Sequence, residues 1–197
     1  MRNKIRAHFP DAAITRRNVA TFYVADFSER TNSSRKIEIH STPPCCPINP
    51  SNAMDCIEIR NPTTIDIDFY IFHDHQFKDL NGNDIEHCEC CFYPNTRNDK
   101  SWIVMLEIKD CKPKNISKYK IKVLDQIIST ATIFRKKHII TSHKVYGIVS
   151  FPRSKVSFNN TIFGMPPEYK ALKKKYNILF SATNSIEVVS DSLIKHY

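Results

Sequence analysis

The stretch Trp102-Ile103-Val104-Met105-Leu106-Glu107-Ile108-Lys109 opens with five apolar residues and closes on an acid and a base. A run that is apolar at both parities is a strand covered on both faces, which belongs at the centre of a sheet. The strand is expected over residues 101–110. Side chains two apart in a strand point the same way, so Glu107 and Lys109 share a face at its exit. Charges there are costly to bury unless they are paired or bind a metal.

Upstream, Ile65-Asp66-Ile67-Asp68-Phe69-Tyr70-Ile71-Phe72 alternates and then turns continuously apolar, which makes a first strand. Asn81-Gly82-Asn83-Asp84 is a turn, and Ile85 to Tyr93 a second strand stopped by Pro94-Asn95. Downstream, a long helix is predicted over about residues 116–137. Ile116, Val123, Leu124, Ile127, Ala131 and Phe134 form its apolar stripe, Asn115 its N-cap, and Arg135-Lys136-Lys137 suit its C-terminal dipole. Lys144 to Phe151 is a fourth strand. A short basic helix opens at Pro166-Pro167, and Asn177 to Val189 holds one or two last strands. The order implies an α/β (α+β) fold with a mixed sheet: a three-strand meander, a long crossover helix and further strands.

The ends are less patterned. Residues 1–30 fit a helix around Ala12–Val24 or a short strand at Thr21–Val24. Residues 41–54, rich in Pro, Ser and Asn, read as a loop carrying Cys45-Cys46. The 197 residues are expected to form one domain. Residues 1–64 would be an extension packed on a core at 65–151, and 152–197 a basic C-terminal helix and strand.

Composition excludes several classes. Hydrophobic residues at 41% and charged residues at 25% do not describe a disordered chain. No apolar run reaches the ~18 residues of a membrane span. Met1-Arg2-Asn3-Lys4-Ile5-Arg6 is basic, but no apolar signal core follows, so a cytoplasmic protein is expected. Only Gly82, Gly147 and Gly164 occur, too few for a Gly-rich phosphate loop. The formal charge of +9 is uneven. Residues 1–40 carry 8 Lys/Arg against 4 Asp/Glu, residues 41–112 carry 6 against 12, and residues 113–197 carry 15 against 4. A basic tail beside an acidic middle suits a protein that meets a polyanion and keeps carboxylates for a cation. The plainer reading is an unevenly charged solvated surface.

One strand before Glu107, Glu89 sits among apolar positions in His87-Cys88-Glu89-Cys90-Cys91-Phe92-Tyr93. If these strands are neighbours, Glu89 and Glu107 converge on one cation. Two carboxylates with open positions beside them suit Mg²⁺ or Mn²⁺. Lys109 would then orient or help deprotonate a water there, or stabilise charge on a phosphate. Asp110-Cys111-Lys112 and Glu168-Tyr169-Lys170 repeat the acid-x-Lys spacing. The first falls past the apolar run, and the second starts a helix, where such residues do not share a face. The competing reading of Glu107 and Lys109 is a surface pair worth at most ~1 kcal/mol.

An acid on the second strand, Glu-x-Lys on the third, then a long helix and a further strand resembles the PD-(D/E)XK nuclease superfamily, over roughly residues 65–151. The resemblance implies an α-β-β-β-α-β, restriction endonuclease-like core that hydrolyses phosphodiester bonds with one or two divalent metals. It carries the strand-two acid onto Glu89, the strand-three acid onto Glu107 and the lysine onto Lys109. Gln126 resembles the helix glutamine of the RecB-like branch. The Pro-Asp that usually precedes the first acid is absent. Glu29, Glu38 and Glu58 are all candidates for the first-helix acid, so none is carried over, and Asp66 and Asp68 stay open as further ligands. The implied activity is that of a Mg²⁺- or Mn²⁺-dependent nuclease, a hydrolase binding metal through Glu89 and Glu107. Its partner would be nucleic acid, DNA before RNA, with a homodimer open. The alternative is a degenerate core that only binds nucleic acid or a protein.

Other groups carry plainer readings. Seven cysteines, an odd number, and the lack of a signal core argue against a disulfide framework. Cys88 and Cys90 would share a strand face near His87 and Cys111. Without zinc spacing they read as buried reduced thiols, although a zinc module stays open. His73 and His75 would share a strand face but lack a third ligand, and His138 and His143 are expected in solvent. Lys118, Lys120 and Lys122, like Lys173–Lys175, are a solvated face or phosphate contacts. Tyr169, Tyr176 and Trp102 form no stacking platform.

Overall fold

The computed structural model describes residues 1–28, 37–45, 54–164 and 166–196. The chain opens with α1 (Arg2–His8), β1 (Ile14–Arg17), β2 (Thr21–Asp26), β3 (Ile37–His40), β4 (Ile57–Arg60), β5 (Ile67–Ile71), β6 (Cys90–Pro94) and β7 (Trp102–Ile108). A 3₁₀ helix (Pro113–Tyr119) leads into α2 (Lys120–Lys136) and β8 (Lys144–Ser150). Then come α3 (Asn159–Phe163), α4 (Pro166–Tyr176), β9 (Leu179–Ala182), β10 (Ser185–Ser190) and β11 (Leu193–His196).

The strands form two mixed sheets, one ordered β1-β5-β6-β7-β8-β9 and the other β11-β10-β4-β2-β3. The expected meander is β5, β6 and β7, each antiparallel to the next. Crossing by α2 then brings β8 parallel to β7, and β9 follows parallel to β8. The fold is a mixed α/β fold, as the order of elements implied.

β7 is buried along its whole length because both its faces are covered. Ile103 and Met105 pack with Val123, Ile127, Ala131 and Phe134 of α2. Trp102, Val104, Leu106 and Ile108 pack with Phe22, Val24, Ile57, Ile59, Ile186 and Val188 of the second sheet. The layers are therefore helix, sheet and sheet, and Glu107, by parity, lies on the helix side. Gly147 of β8 allows the helix layer this close. A Cβ there would meet Phe180 Cδ1 at 2.8 Å, Ile127 Cγ2 at 2.9 Å and Ile178 Cγ2 at 3.0 Å.

Several boundaries differ from the sequence expectation. The second strand begins at Cys90 rather than Ile85, because residues 73–87 form a loop closed by the Lys78–Asp84 bridge and the Ile85 N to Phe77 O bond. Asn115 is no N-cap: Pro113 already starts a 3₁₀ turn, and α2 is capped at Tyr119 without a side-chain bond. The N-terminal ambiguity resolves to strand at β2. The sequence pattern showed neither α1 nor β11. No helix among the described residues is long and apolar enough to cross a membrane.

Candidate functional site

β6 and β7 pair in the register Cys90↔Leu106 and Cys91↔Met105. The regular pairing stops at Cys90↔Leu106, and Glu89, one residue earlier, sends its N–H to Leu106 O, which sets it at the end of β7 near Glu107. Glu89 thus lies just before β6, not in mid-strand. Its backbone is nonetheless in the ladder: its N–H donates to Leu106 O, and its carbonyl accepts from Phe72 N, both at 3.0 Å. Both acids are buried, Glu107 completely. Lys109 follows β7 and stays tied to β8 through its N–H to Ser150 O.

Like charges gathered at one point repel, and burying them adds a desolvation penalty. Lys109 answers both effects. Its Nζ lies 2.6 Å from Glu107 Oε1 and 3.7 Å from Glu89 Oε1. Burial alone would favour the neutral amine. The charges of Glu107 and Glu89, the bond to Glu107 and the charge of Asp26 outweigh it, and the ammonium holds its proton above the ordinary lysine range. Asp26 is a buried acid at the end of β2, in the other sheet. The sequence pattern does not single it out, because only the stacking of the two sheets brings it near Lys109.

α2 fixes the segment that carries Glu89. Gln126 Nε2 donates to His87 O at 3.0 Å, and Cys88 N donates to Thr130 Oγ1 at 3.0 Å. Thr130 in turn donates to Gln126 O at 2.8 Å. Thr130, unremarked in the sequence, lies four residues from Gln126 on the same helical face. Gln126 therefore stands against the backbone next to the acids.

The other candidates lie elsewhere. Asp68 is buried four residues along β5 from Phe72, where Arg16 Nε meets it at 2.9 Å and Arg2 Nη1 at 3.7 Å. Asp66 also meets Arg16. Glu38 is beside His40, Glu58 is in the second sheet, and Glu29 lies outside the described residues. Asp110 is paired with Arg153 at 3.2 Å. Lys122 faces Glu86 at 3.6 Å, and Lys173–Lys175 are exposed in the last turn of α4.

Cys88 and Cys90 do not share a face. Cys88 precedes the strand and packs toward the helices, whereas Cys90 packs toward the second sheet. The cysteines at 45, 56, 88, 90, 91 and 111 are free thiols, and Cys46 is outside the described residues. His73 and His75 fall in the loop after β5. His75 has a left-handed φ of 62° and its Nδ1 lies 2.6 Å from Asp84 Oδ2. His143 is buried rather than solvated, and burial pushes its pKa down. Among the described residues, no group of three or more His, Cys, Asp or Glu is placed to hold a metal ion.

No family model, curated protein or solved structure matches this chain.

Proposed function

We propose that this chain is a metal-dependent nuclease with a PD-(D/E)XK-like core, hydrolysing phosphodiester bonds of nucleic acid in the cytoplasm, DNA before RNA. One observation carries the reading. Glu107, near the end of β7, and Glu89, just before the antiparallel β6, both lie against Lys109 Nζ, at 2.6 and 3.7 Å. Such a donor set fits Mg²⁺ or Mn²⁺, which take hard oxygen ligands from one or two carboxylates and complete their shells with water and substrate phosphate. Bound there, the ion would supply Lewis-acid stabilisation of charge developing on the phosphoryl oxygens. Glu89 and Glu107 would hold it. Lys109, carried as a cation, would turn from the carboxylates to the phosphate and the attacking water and stabilise their charge. Gln126 and Thr130 would keep Glu89 in place. The lysines of α2 and α4 supply backbone attraction that weakens with salt.

Incubation with supercoiled and single-stranded DNA plus Mn²⁺ tests the reading. Wild type should cleave, chelation should stop it, and Glu107→Ala and Lys109→Ala should bind DNA without cutting it. Cleavage by either variant at the wild-type rate would overturn the assignment.

A second reading has its own support: Lys109 already pairs with both acids, and no third ligand stands beside them among the described residues. On that reading the core binds nucleic acid or a protein without catalysis. Mn²⁺ titration would then give no heat, while DNA binding stayed salt-sensitive.

A further inference from the structure

Next to the carboxylates, a cleft of about 360 Å³ opens between the loop after β5 and the first turns of α2. Asp74, His75, Asp84, Glu86, Lys122 and Gln126 line it. That volume falls within the range of small-ligand sites. Three of these residues are acids, in a chain whose formal charge is +9, so the cleft does not suit a phosphate. Gln126 adds an independent observation. It is 4% exposed, its Nε2 is committed to His87 O, and its Oε1 is buried with no hydrogen-bond partner. A buried acceptor left unmade is costly, and an incoming N–H would satisfy it. Asp84 is already held by His75 and Lys78, and Glu86 Oε1 by Lys122, so the acceptors left to an incoming donor are Gln126 Oε1 and the second oxygen of Glu86.

We propose that this cleft receives an unpaired nucleobase bearing an exocyclic amino group, with Gln126 Oε1 and the second carboxylate oxygen of Glu86 as acceptors. Adenine, cytosine and guanine present such a group on the edge that pairs bases. Uracil and thymine offer only the N3–H there, flanked by two carbonyls that a second acceptor repels. A base in a duplex has that edge occupied, so the nucleotide must be single-stranded or flipped out. The link to cleavage rests on the nuclease reading: His87 stands two residues before Glu89, which would put the base beside the scissile phosphate.

Titration of the metal-free protein with nucleosides, followed by amide NMR shifts, tests the site apart from catalysis. Guanosine, cytidine and adenosine should shift residues 84–87 and 122–126, with uridine at least about tenfold weaker. Gln126→Leu and the exposed-site variant Glu86→Gln should each weaken binding by about tenfold. Glu86→Gln keeps the test valid if Gln126→Leu fails to fold. No shift with any nucleoside, equal shifts with uridine, or shifts unchanged in Glu86→Gln would overturn the proposal. So would a response to spermidine and not to nucleosides, which would assign the cleft to a cationic chain. Nucleoside binding by a protein that never cleaves DNA would keep the base site and remove the nuclease reading.

Discussion

Two buried charge clusters sit on the helix side of the six-stranded sheet, and they are built in opposite ways. At one end a single carboxylate, Asp68, is held by two guanidiniums, with Arg16 reaching it twice, at 2.9 and 3.4 Å, and Arg2 at 3.7 Å. At the other end two carboxylates meet at the ammonium of Lys109. Arginine presents a planar fork that closes a carboxylate into fixed geometry; lysine is a point charge on a flexible stem. The first cluster ties β1 and α1 to β5 and completes the charge of its acid. The second gathers acids round a group that can move aside. On the proposed reading, what separates the two clusters is the kind of cation that meets the carboxylates and not buried charge alone.

The largest expected effect separates the clusters by activity. Lys109→Ala or Glu107→Gln should lower cleavage by about 10³-fold, as loss of a transition-state charge partner does, while far-UV circular dichroism stays unchanged. Asp68→Asn should leave cleavage nearly intact. It should instead cost about 1–3 kcal/mol of stability in urea unfolding, since Arg16 and Arg2 lose their counter-charge and one of two acceptor oxygens. An Asp68 variant that folds well but cannot cleave would break the comparison.

Smaller effects sharpen it. Thr130→Val removes the acceptor of Cys88 N and should lower cleavage about tenfold by loosening Glu89, with rescue by Thr130→Ser. A structural role alone would give lost stability without serine rescue of the Mn²⁺ affinity. The smallest effect involves pH. Burial pushes His143 and His196 below the usual 6.5, so the fold prefers them neutral. Their contribution is intact above about pH 6.5 and is lost as pH falls through the lower folded values. Among the described residues, His196 meets Ser181, and His143 feels the chain's amino group and Lys4. The acid-side loss in thermal melts should therefore be the same in wild type and Asp68→Asn.

Much of this fold is written in the central residues. The two-sided apolar run at Trp102–Leu106 gives β7 its place, and the stripe from Val123 to Phe134 gives α2 its buried face. Glu107 and Lys109 are legible because charge is out of place at the end of such a strand. Glu89 was found by its apolar neighbours, although the strand expected around it begins one residue later. Asp26 and Thr130 are not legible: one depends on how two sheets stack, and the other is an ordinary helical threonine until Cys88 donates to it. Asp66 and Asp68 look like ligands in sequence, and only Arg16 and Arg2, some fifty residues or more away in the chain, reveal the clasp.

The central claim is that Glu89 and Glu107, and not Asp68, hold a divalent ion. Calorimetric titration of Mn²⁺ into wild type, Glu89→Gln, Glu107→Gln and Asp68→Asn tests it directly. Binding in wild type and Asp68→Asn that is lost in both glutamate variants is the predicted result. No binding in wild type, or equal binding in all four proteins, would contradict it.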